Sequence, residues 1–432
     1  MSQNANTGNR VVITGYGAIT CLGNDAASTW EAMREGRSGI GLYNDESFVR
    51  YSDDWPTKIG GEVRGLDMSP LMEAREAKRL DRVTQLGLVA AHEAVGHSGI
   101  DFAAEDPGRC GVVIGTGIGG IETIETGANV LRDRGPRRLN VFTVPRLMAN
   151  ATTGAVSIRY GIQGPTSCHA TACASAGHAF GDAMAYIRSG MCDVMVTGGT
   201  EAALTPICIS AFGVMKALST RNDEPTLASR PFDADRDGFV LSEGSAIFVI
   251  ESEAHAKARG ATIHAELIGF GNSCDAHHIT APHETGAGAA RSMRGALRDA
   301  GLGTDAIDYI NAHGTSTSLG DKAELRAVHD VFGPGREGSD RKLMMSSTKS
   351  VHGHALGASG AIEMVACVHG VRDGIIPPTI NLNHPAEGPW AEGGSLDLVA
   401  HDSREIPVRH ALNNTFGFGG HNTSLVLGRY ES

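Results

Sequence analysis

Short β-branched, apolar runs recur along the chain, alternating with runs that carry helical apolar spacing. Arg10-Val11-Val12-Ile13-Thr14-Gly15 is the first strand, followed by a helix around Ala27–Glu35. Cys110–Gly115, Cys192–Gly199, Ala246–Glu251 and Ala265–Phe270 read as further strands, with a short helix at His255–Arg259. Buried strands between helices predict an α/β fold in which helices cover the sheet on both faces. The second half repeats the style. Helices are predicted at about Gly288–Ala300, Asp321–Phe332 and Leu356–His369, and strands at Tyr309–Ala312, Leu396–Ala400, His410–Asn414 and Ser424–Leu427. No Pro/Ser-rich linker separates the halves, so two similar halves, residues 1–264 and 265–432, are expected to share one interior. The loop-rich stretches at about Ile40–Glu76 and Glu201–Ser242 are expected to form a cap.

With 432 residues, 41% of them hydrophobic, the chain can bury a large core. Its 57 glycines suggest tight strand–helix packing and accessible backbone at loops. A net charge of −12 argues against nucleic acid as a partner. The cysteines at 21, 110, 168, 173, 192, 208, 274 and 367 form no C-x-x-C pair. They read as reduced thiols, not as a disulfide framework or a zinc site. Met1–Arg10 is short and polar, and no signal peptide or span of ~20 apolar residues is present. A soluble, cytoplasmic protein is expected.

Two motifs invite misreading. Gly115-Thr116-Gly117-Ile118-Gly119-Gly120 fits G-x-G-x-x-G after a strand, but the run after Ile121 is no convincing strand and supplies no ribose-binding acid. The better reading is a loop whose backbone approaches another group closely. Asp233-Ala234-Asp235-Arg236-Asp237-Gly238 imitates a calcium loop, yet its twelfth position is Gly244 and not a bidentate Glu. A charged turn is expected instead.

Thr171-Ala172-Cys173-Ala174-Ser175-Ala176-Gly177 opens a run with helical spacing at Phe180, Met184 and Ile187. A thiol at a helix N-terminus feels the positive end of the dipole, which favours the thiolate. Its own N–H is free to receive an oxyanion. A buried structural cysteine is the alternative, and the rest of the sequence argues against it. Asn311-Ala312-His313-Gly314-Thr315-Ser316-Thr317 ends a strand in a loop, and Gly320-Asp321-Lys322-Ala323-Glu324 starts a helix that Asp321 can cap. Ser346-Ser347-Thr348-Lys349-Ser350-Val351-His352-Gly353-His354 places His354 just before a small-residue helix, as Cys173 is placed. A Lys349 cation nearby keeps the imidazole neutral, and Glu363 can fix that lysine. His352 and His354, like His277, His278 and His283, lack the accompanying ligands of a metal site. Phe416-Gly417-Phe418-Gly419-Gly420 makes a glycine-rich loop with bulky gates. One thiol and two neutral imidazoles suit carbanion chemistry beside a thioester.

These four motifs, in this order, resemble the β-ketoacyl-[acyl-carrier-protein] synthase family and most closely its elongating synthase II branch. The likeness runs from Val11 to about Tyr430 and includes Ala217–Asn222 and Asp237–Val240. The resemblance implies a thiolase-like fold of two βαβαβ halves in a five-layered α-β-α-β-α core, acting as a homodimer without cofactor or metal. It implies that Cys173 accepts the acyl chain from acyl carrier protein. His313 and His354 would promote decarboxylation of the malonyl-loaded carrier, with either histidine mattering less for acyl loading. Lys349 with Glu363 would organise the His354 side, and Asp321 and Glu324 would support the loop. The N–H groups of Cys173 and Phe416 would form the oxyanion hole, and Phe416 would gate an acyl pocket lined by Ile118 and Phe212. Thr280, Thr315 and Thr317 would contact the phosphopantetheine arm, while Asp275 and His278 would border the malonyl entrance. Arg75, Lys78, Arg79, Arg137, Arg138 and Lys216 would form the rim that receives the acidic carrier. Ser318, His352 and His421 depart from common choices of the family without removing a catalytic group. The resemblance leaves open whether the same condensation serves a specialised lipid or polyketide pathway. A non-catalytic partner subunit would lack the cysteine, and a degradative thiolase would use a second cysteine in place of the His313/His354 pair.

Overall fold

The computed structural model describes residues 9–43, 54–333, 342–386 and 396–431. Most of the polar N-terminus and residues 44–53 of the expected cap lie outside them. Eleven strands form one mixed sheet. They are β1 (Val11–Thr20), β2 (Cys110–Gly115), β3 (Thr166–His169), β4 (Val194–Glu201), β5 (Gly244–Ser252), β6 (Ala265–Cys274), β7 (Tyr309–Asn311), β8 (Leu343–Ser346), β9 (Leu396–Asp397), β10 (His410–Gly417) and β11 (His421–Gly428). Their order is β9-β8-β7-β10-β11-β6-β1-β5-β4-β2-β3. The sheet reads the same outward from its middle. From β1, β5 and β4 follow antiparallel, then β2 and β3 parallel to β4. From β6, β11 and β10 follow antiparallel, then β7 and β8 parallel to β10. Only Val11–Ile13 of β1 pair with Ala265–Leu267 of β6, so the two halves meet at one corner.

The helices that matter here are α1 (Ala26–Arg34), α2 (Arg82–Ser98), α3 (Ile121–Arg134), α4 (Ala151–Tyr160), α5 (Ser175–Arg188), α6 (Pro206–Val214), α7 (Ala287–Ala300), α8 (Ser318–Phe332) and α9 (Ser359–Asp373). Three apolar layers separate them from the strands. Phe180, Met184 and Ile187 of α5 and Ile362, Val365 and Val368 of α9 pack between the two halves, against Phe248, Leu267 and Leu425. Leu86, Ala90 and Ala94 of α2 cover the outer face of the first half, with Val112 and Val196. Met293 and Leu297 of α7 and Val328 and Phe332 of α8 cover the outer face of the second, with Ile310 and Leu412. The result is the five-layered arrangement that the resemblance implies.

β1 continues five residues past the predicted Gly15. Gly15 and Gly17 let α2 lie directly on the strand, since a Cβ on either would come within 2.4 Å of the Ala94 or Ala90 carbonyl. The glycines that looked like a strand end are a packing surface. The helix at 318–332 also starts earlier than predicted. Thr317 Oγ1 caps it by accepting from the Gly320 N–H at 3.3 Å, and Asp321 lies inside its first turn. The segment after Gly120 is helix α3, but the next strand, β3, begins only at Thr166 and carries no acid, so the second strand and ribose-binding acid of a dinucleotide-binding βαβ unit are missing there. The calcium-like turn is held from within: Asp233 is buried and accepts the N–H groups of Asp235, Asn383 and His384 at 2.7–2.9 Å. All eight cysteines are free. Among the described residues no helix is long and apolar enough to cross a membrane.

Candidate active site

Cys173 sits in the single 3-10 turn Ala172–Ala174 that leads into α5. Ala172 takes a left-handed backbone, φ +51°, which turns the sulfur toward the cap. Ser175 Oγ stabilises the turn by accepting from the Thr171 N–H at 2.9 Å and donating to the Ala172 carbonyl at 2.6 Å. The equivalent turn of the second half, Leu356–Ala358, leads into α9 and carries the same device, with Leu356 at φ +42°. His354 lies two residues before Leu356. Its Nε2 is 3.0 Å from Cys173 Sγ, and its Nδ1 is 2.9 Å from Ser359 Oγ. The Ser359 hydroxyl can donate or accept, so it supports either imidazole tautomer.

His313 follows the last residues of β7. Glu324 on α8 seats its loop, accepting the His313 N–H at 2.9 Å and the Gly314 N–H at 2.7 Å. Asp321 does the same for the neighbouring backbone, accepting from Phe232 and Ser316, with Arg236 Nε 3.5 Å away. Burial raises both carboxyls, Asp321 to about 6 and Glu324 to about 7, against these hydrogen bonds. Lys349 is 1% exposed and pairs with the fully buried Glu363 on α9. Burial pushes the Glu363 carboxyl up, and the Lys349 ammonium pulls it back.

The ring nitrogens of His313 and His354 and the sulfur of Cys173 lie within 4.8 Å of one another. The two rings meet edge to face at 5.4 Å. Burial, the Lys349 ammonium and the neighbouring imidazole hold His313 well below the ordinary histidine value. Burial, Lys349 and His352 do the same for His354. Both imidazoles are therefore neutral at physiological pH. The thiol departs from its expectation. Burial pushes Cys173 up to about 12, although Lys349 and the Phe418 N–H work against the rise. The helix-end effect is local and small, whereas the whole sulfur is removed from water. Cys173 rests as a thiol beside Nε2 of His354.

The same contact corrects the oxyanion assignment, while Phe416 and Phe418 both line the cavity. The backbone N–H that reaches the sulfur belongs to Phe418, not Phe416. Phe416 still lies in the ladder, opposite Asn422, with its ring 5.6 Å from that of His313. Phe418 opens the hairpin turn, where Gly419 and Gly420 take φ +83° and +77°. Its ring is 36% exposed and 6.4 Å from Phe212. The position was legible only as one of two phenylalanines, because the hairpin register decides which N–H faces the sulfur.

A cavity of about 530 Å³ opens above the sulfur. Ile118, Phe212, Phe239 and Leu356 line its apolar side, while Asp275, Thr280, Thr315 and Thr317 line the other. Thr315 and Thr317 hydroxyls are 3.0 Å apart. His278 stays at the surface, where its Nδ1 accepts the N–H groups of Thr280 and Ala281. Lys216 stands at the cavity mouth, and Arg75, Lys78, Arg79, Arg137 and Arg138 are exposed. No ion pair occupies any of the six among the described residues. His352 is buried away from the cavity against Thr348, and the ring of His421 lies 6.2 Å from that of His178. Sequence reasoning also missed Ser359 and Phe239. Both are ordinary residue types: Ser359 reaches His354 from the turn that follows it, and Phe239 faces it across the fold.

The family description "Beta-ketoacyl synthase, N-terminal domain" matches residues 8–256, and its C-terminal counterpart matches residues 264–383. A 3-oxoacyl-[acyl-carrier-protein] synthase 2 of Vibrio cholerae is 45% identical over 97% of this chain and 99% of its own. That of Staphylococcus aureus is 42% identical over the full length of both. Among solved structures, a β-ketoacyl synthase from Burkholderia phymatum superposes with a TM-score of 0.87 at 35% identity, covering 98% of this chain and all of its own. A ketosynthase structure in complex with its type II polyketide acyl-carrier protein gives 0.88 at 31% identity, with the same coverage. With both halves of its length matched and its nucleophile and imidazoles brought together, the chain belongs to the β-ketoacyl synthase family.

Proposed function

We propose that the protein catalyses decarboxylative Claisen condensation of malonyl-[acyl-carrier-protein] with an acyl group held on Cys173, the elongation step of type II fatty-acid synthesis. One observation carries this: a thiol and two neutral imidazoles converge at the floor of a cavity with one apolar and one polar side. In loading, Sγ attacks the acyl thioester and passes its proton to His354 Nε2. The N–H groups of Cys173 and Phe418 receive the oxyanion. The pantetheine thiolate leaves and takes that proton. In condensation, the malonyl thioester oxygen lies between His313 and His354. Loss of CO2 leaves an electron pair as an enolate, which the imidazole N–H groups stabilise. Its carbon attacks the acyl carbonyl and expels Sγ, which is then reprotonated. Lys349, fixed by Glu363, keeps the imidazoles neutral, and Asp321 and Glu324 hold the His313 loop. Thr280, Thr315, Thr317 and Asp275 are suited to the phosphopantetheine arm, and His278 shapes the Thr280 loop. The six basic rim residues suit an acidic carrier protein, and the reaction suits the cytoplasm.

The test is intact-protein mass after mixing with acyl carrier proteins of graded length. An acyl adduct mapped to Cys173, discharged by malonyl-carrier protein, is the expected result; no adduct at any length overturns the reading. The geometry separates the two histidines more than the sequence does. His313→Ala should spare acyl loading and abolish decarboxylation, whereas His354→Ala should slow both, because only His354 contacts the thiol. The same condensation in a polyketide pathway draws support from the TM-score of 0.88 to a polyketide ketosynthase. Loading by polyketide carriers alone would favour it.

A homodimer is part of the proposal. Among the described residues β3 ends the sheet with no further strand paired to it, and α3 buries one residue, Thr123. Ile124, Leu131, Val141 and Val144 are 42%, 48%, 86% and 63% exposed along this face. Such an edge and apolar patch suit a second copy. Sedimentation at micromolar concentration should give twice the 45.1 kDa chain mass, and Ile124→Lys/Val144→Lys should give the monomer.

A further inference from the structure

The glycine-rich run that imitates a phosphate loop is already filled. Glu201, the last residue of β4, is fully buried and points its carboxylate into the loop after β2. Oε2 accepts the N–H of Gly117 at 2.6 Å and of Gly357 at 3.0 Å. Oε1 accepts the Thr116 hydroxyl at 3.0 Å and the Ile118 N–H at 3.3 Å. A Cβ on Gly117 would come within 2.7 Å of Oε2, and one on Gly357 within 2.9 Å. Gly117 is therefore required by a protein carboxylate, not by a bound phosphate, while Gly357 is required first by the loop backbone, where its Cβ would lie 2.2 Å from the Gly117 nitrogen. The donors come from two segments that shape the site, the loop after β2 and the turn at Gly357. Ile118 lines the acyl side of the cavity, and Gly357 lies three residues after His354 in the turn that follows it. The Thr116 carbonyl lies 3.3 Å from Ser175 Oγ, which braces the Cys173 turn.

We propose that Glu201 is a positioning residue that seats the Ile118 wall and the His354 turn against the Cys173 turn, so that acyl chain and base meet the sulfur in register. This rests on reading Cys173 as the acyl acceptor. Glu201 also acts through its charge. No cation pairs with it among the described residues, and burial raises it to about 7 against its four hydrogen bonds. The titratable groups that feel its charge are the thiols of Cys168, Cys173 and Cys208. At Cys173 it opposes the Lys349 ammonium and disfavours the thiolate.

Two variants test this. Glu201→Gln keeps the shape but replaces one acceptor oxygen with an NH2 that faces N–H donors. Thr116→Val removes a single donor and preserves the turn. Cys173 alkylation by iodoacetamide, mapped by peptide, is followed from pH 6 to 9 beside acyl loading from hexadecanoyl-carrier protein. In Glu201→Gln the alkylation profile should move to lower pH, with the rate at pH 8 rising roughly ten-fold, the effect of about one pKa unit on a thiolate. Acyl loading should fall by about ten-fold as the wall and base lose register. Thr116→Val should move both in the same directions by about three-fold. Cys110, Cys192 and Cys367, all buried, must stay unlabelled; their labelling would mean unfolding, and Thr116→Val then decides. Unchanged alkylation and loading in Thr116→Val, or loss of loading without a moved alkylation profile in Glu201→Gln, overturns the proposal. A wild type that takes no acyl chain overturns the condensing reading instead, because alkylation does not depend on it.

Discussion

Replacing Cys173 by alanine is expected to abolish acyl loading and to lower condensation by about four orders of magnitude or more, because no other group can hold the acyl chain. The fold should survive. The turn is held by backbone and by Ser175, and the substitution removes one sulfur atom from the cavity floor. The variant should still release CO2 from malonyl-carrier protein, since His313 and His354 keep their places and charge. Intact mass reads the adduct, and labelled CO2 reads the decarboxylation. Normal product formation by the variant would sink the mechanism. Loss of CO2 release together with loading would mean that the imidazoles depend on the sulfur.

The largest effect on stability is expected from Lys349→Met. The substitution leaves Glu363 buried without its cation, and breaking such a pair costs about 3–5 kcal/mol. The cost should depend on pH in a defined direction. The folded Glu363 carboxyl already lies at about 7, above its ordinary 4.5, with Lys349 pulling it down. Without the lysine it rises further. A carboxyl whose folded value exceeds its unfolded one is stabilising below the unfolded value, and that advantage is lost as pH rises through the folded one. The difference from wild type in urea unfolding should therefore be smaller at pH 5 than at pH 8. An equal difference at both would show that the pair is not ionic. Lys349 also lowers both imidazoles and the thiol, so acyl loading at pH 7 should slow in the same variant.

The parts of the site that were legible in the sequence are those signalled locally. Cys173 and His354 each precede a small-residue helix, and His313 ends a strand, so short-range pattern locates all three. Lys349 and Glu363 were legible because they flank His354 in the chain, Lys349 shortly before it and Glu363 on the helix after it, and they meet as a pair. The layering was legible because its strands are short and apolar. What pattern could not supply is tertiary. The raised Cys173 thiol reflects desolvation by residues distant in sequence, among them Ile209, Phe239 and Leu356, which no local dipole argument contains. Phe418 displaces Phe416 because Phe416 stays in the ladder opposite Asn422, whereas Phe418 lies past the last strand residue, Gly417, where the turn brings its N–H to the sulfur. Glu201 did carry a signal that went unused: an acid closes an otherwise apolar strand, and a buried acid needs donors. Helix α2 was hidden because its small apolar residues face both β1 and its other neighbours, which blurs a one-sided stripe.

The turns before α5 and α9 are one backbone device used twice, each with a non-glycine residue in a left-handed conformation. One copy carries the nucleophile and the other follows the base, so the duplicated halves have become complementary instead of equivalent. Two identical copies of either half could reproduce the layers but not the reaction. The catalytic unit is thus the seam between the repeats, and each side can change its own chemistry only so far as the other still answers it across 3.0 Å.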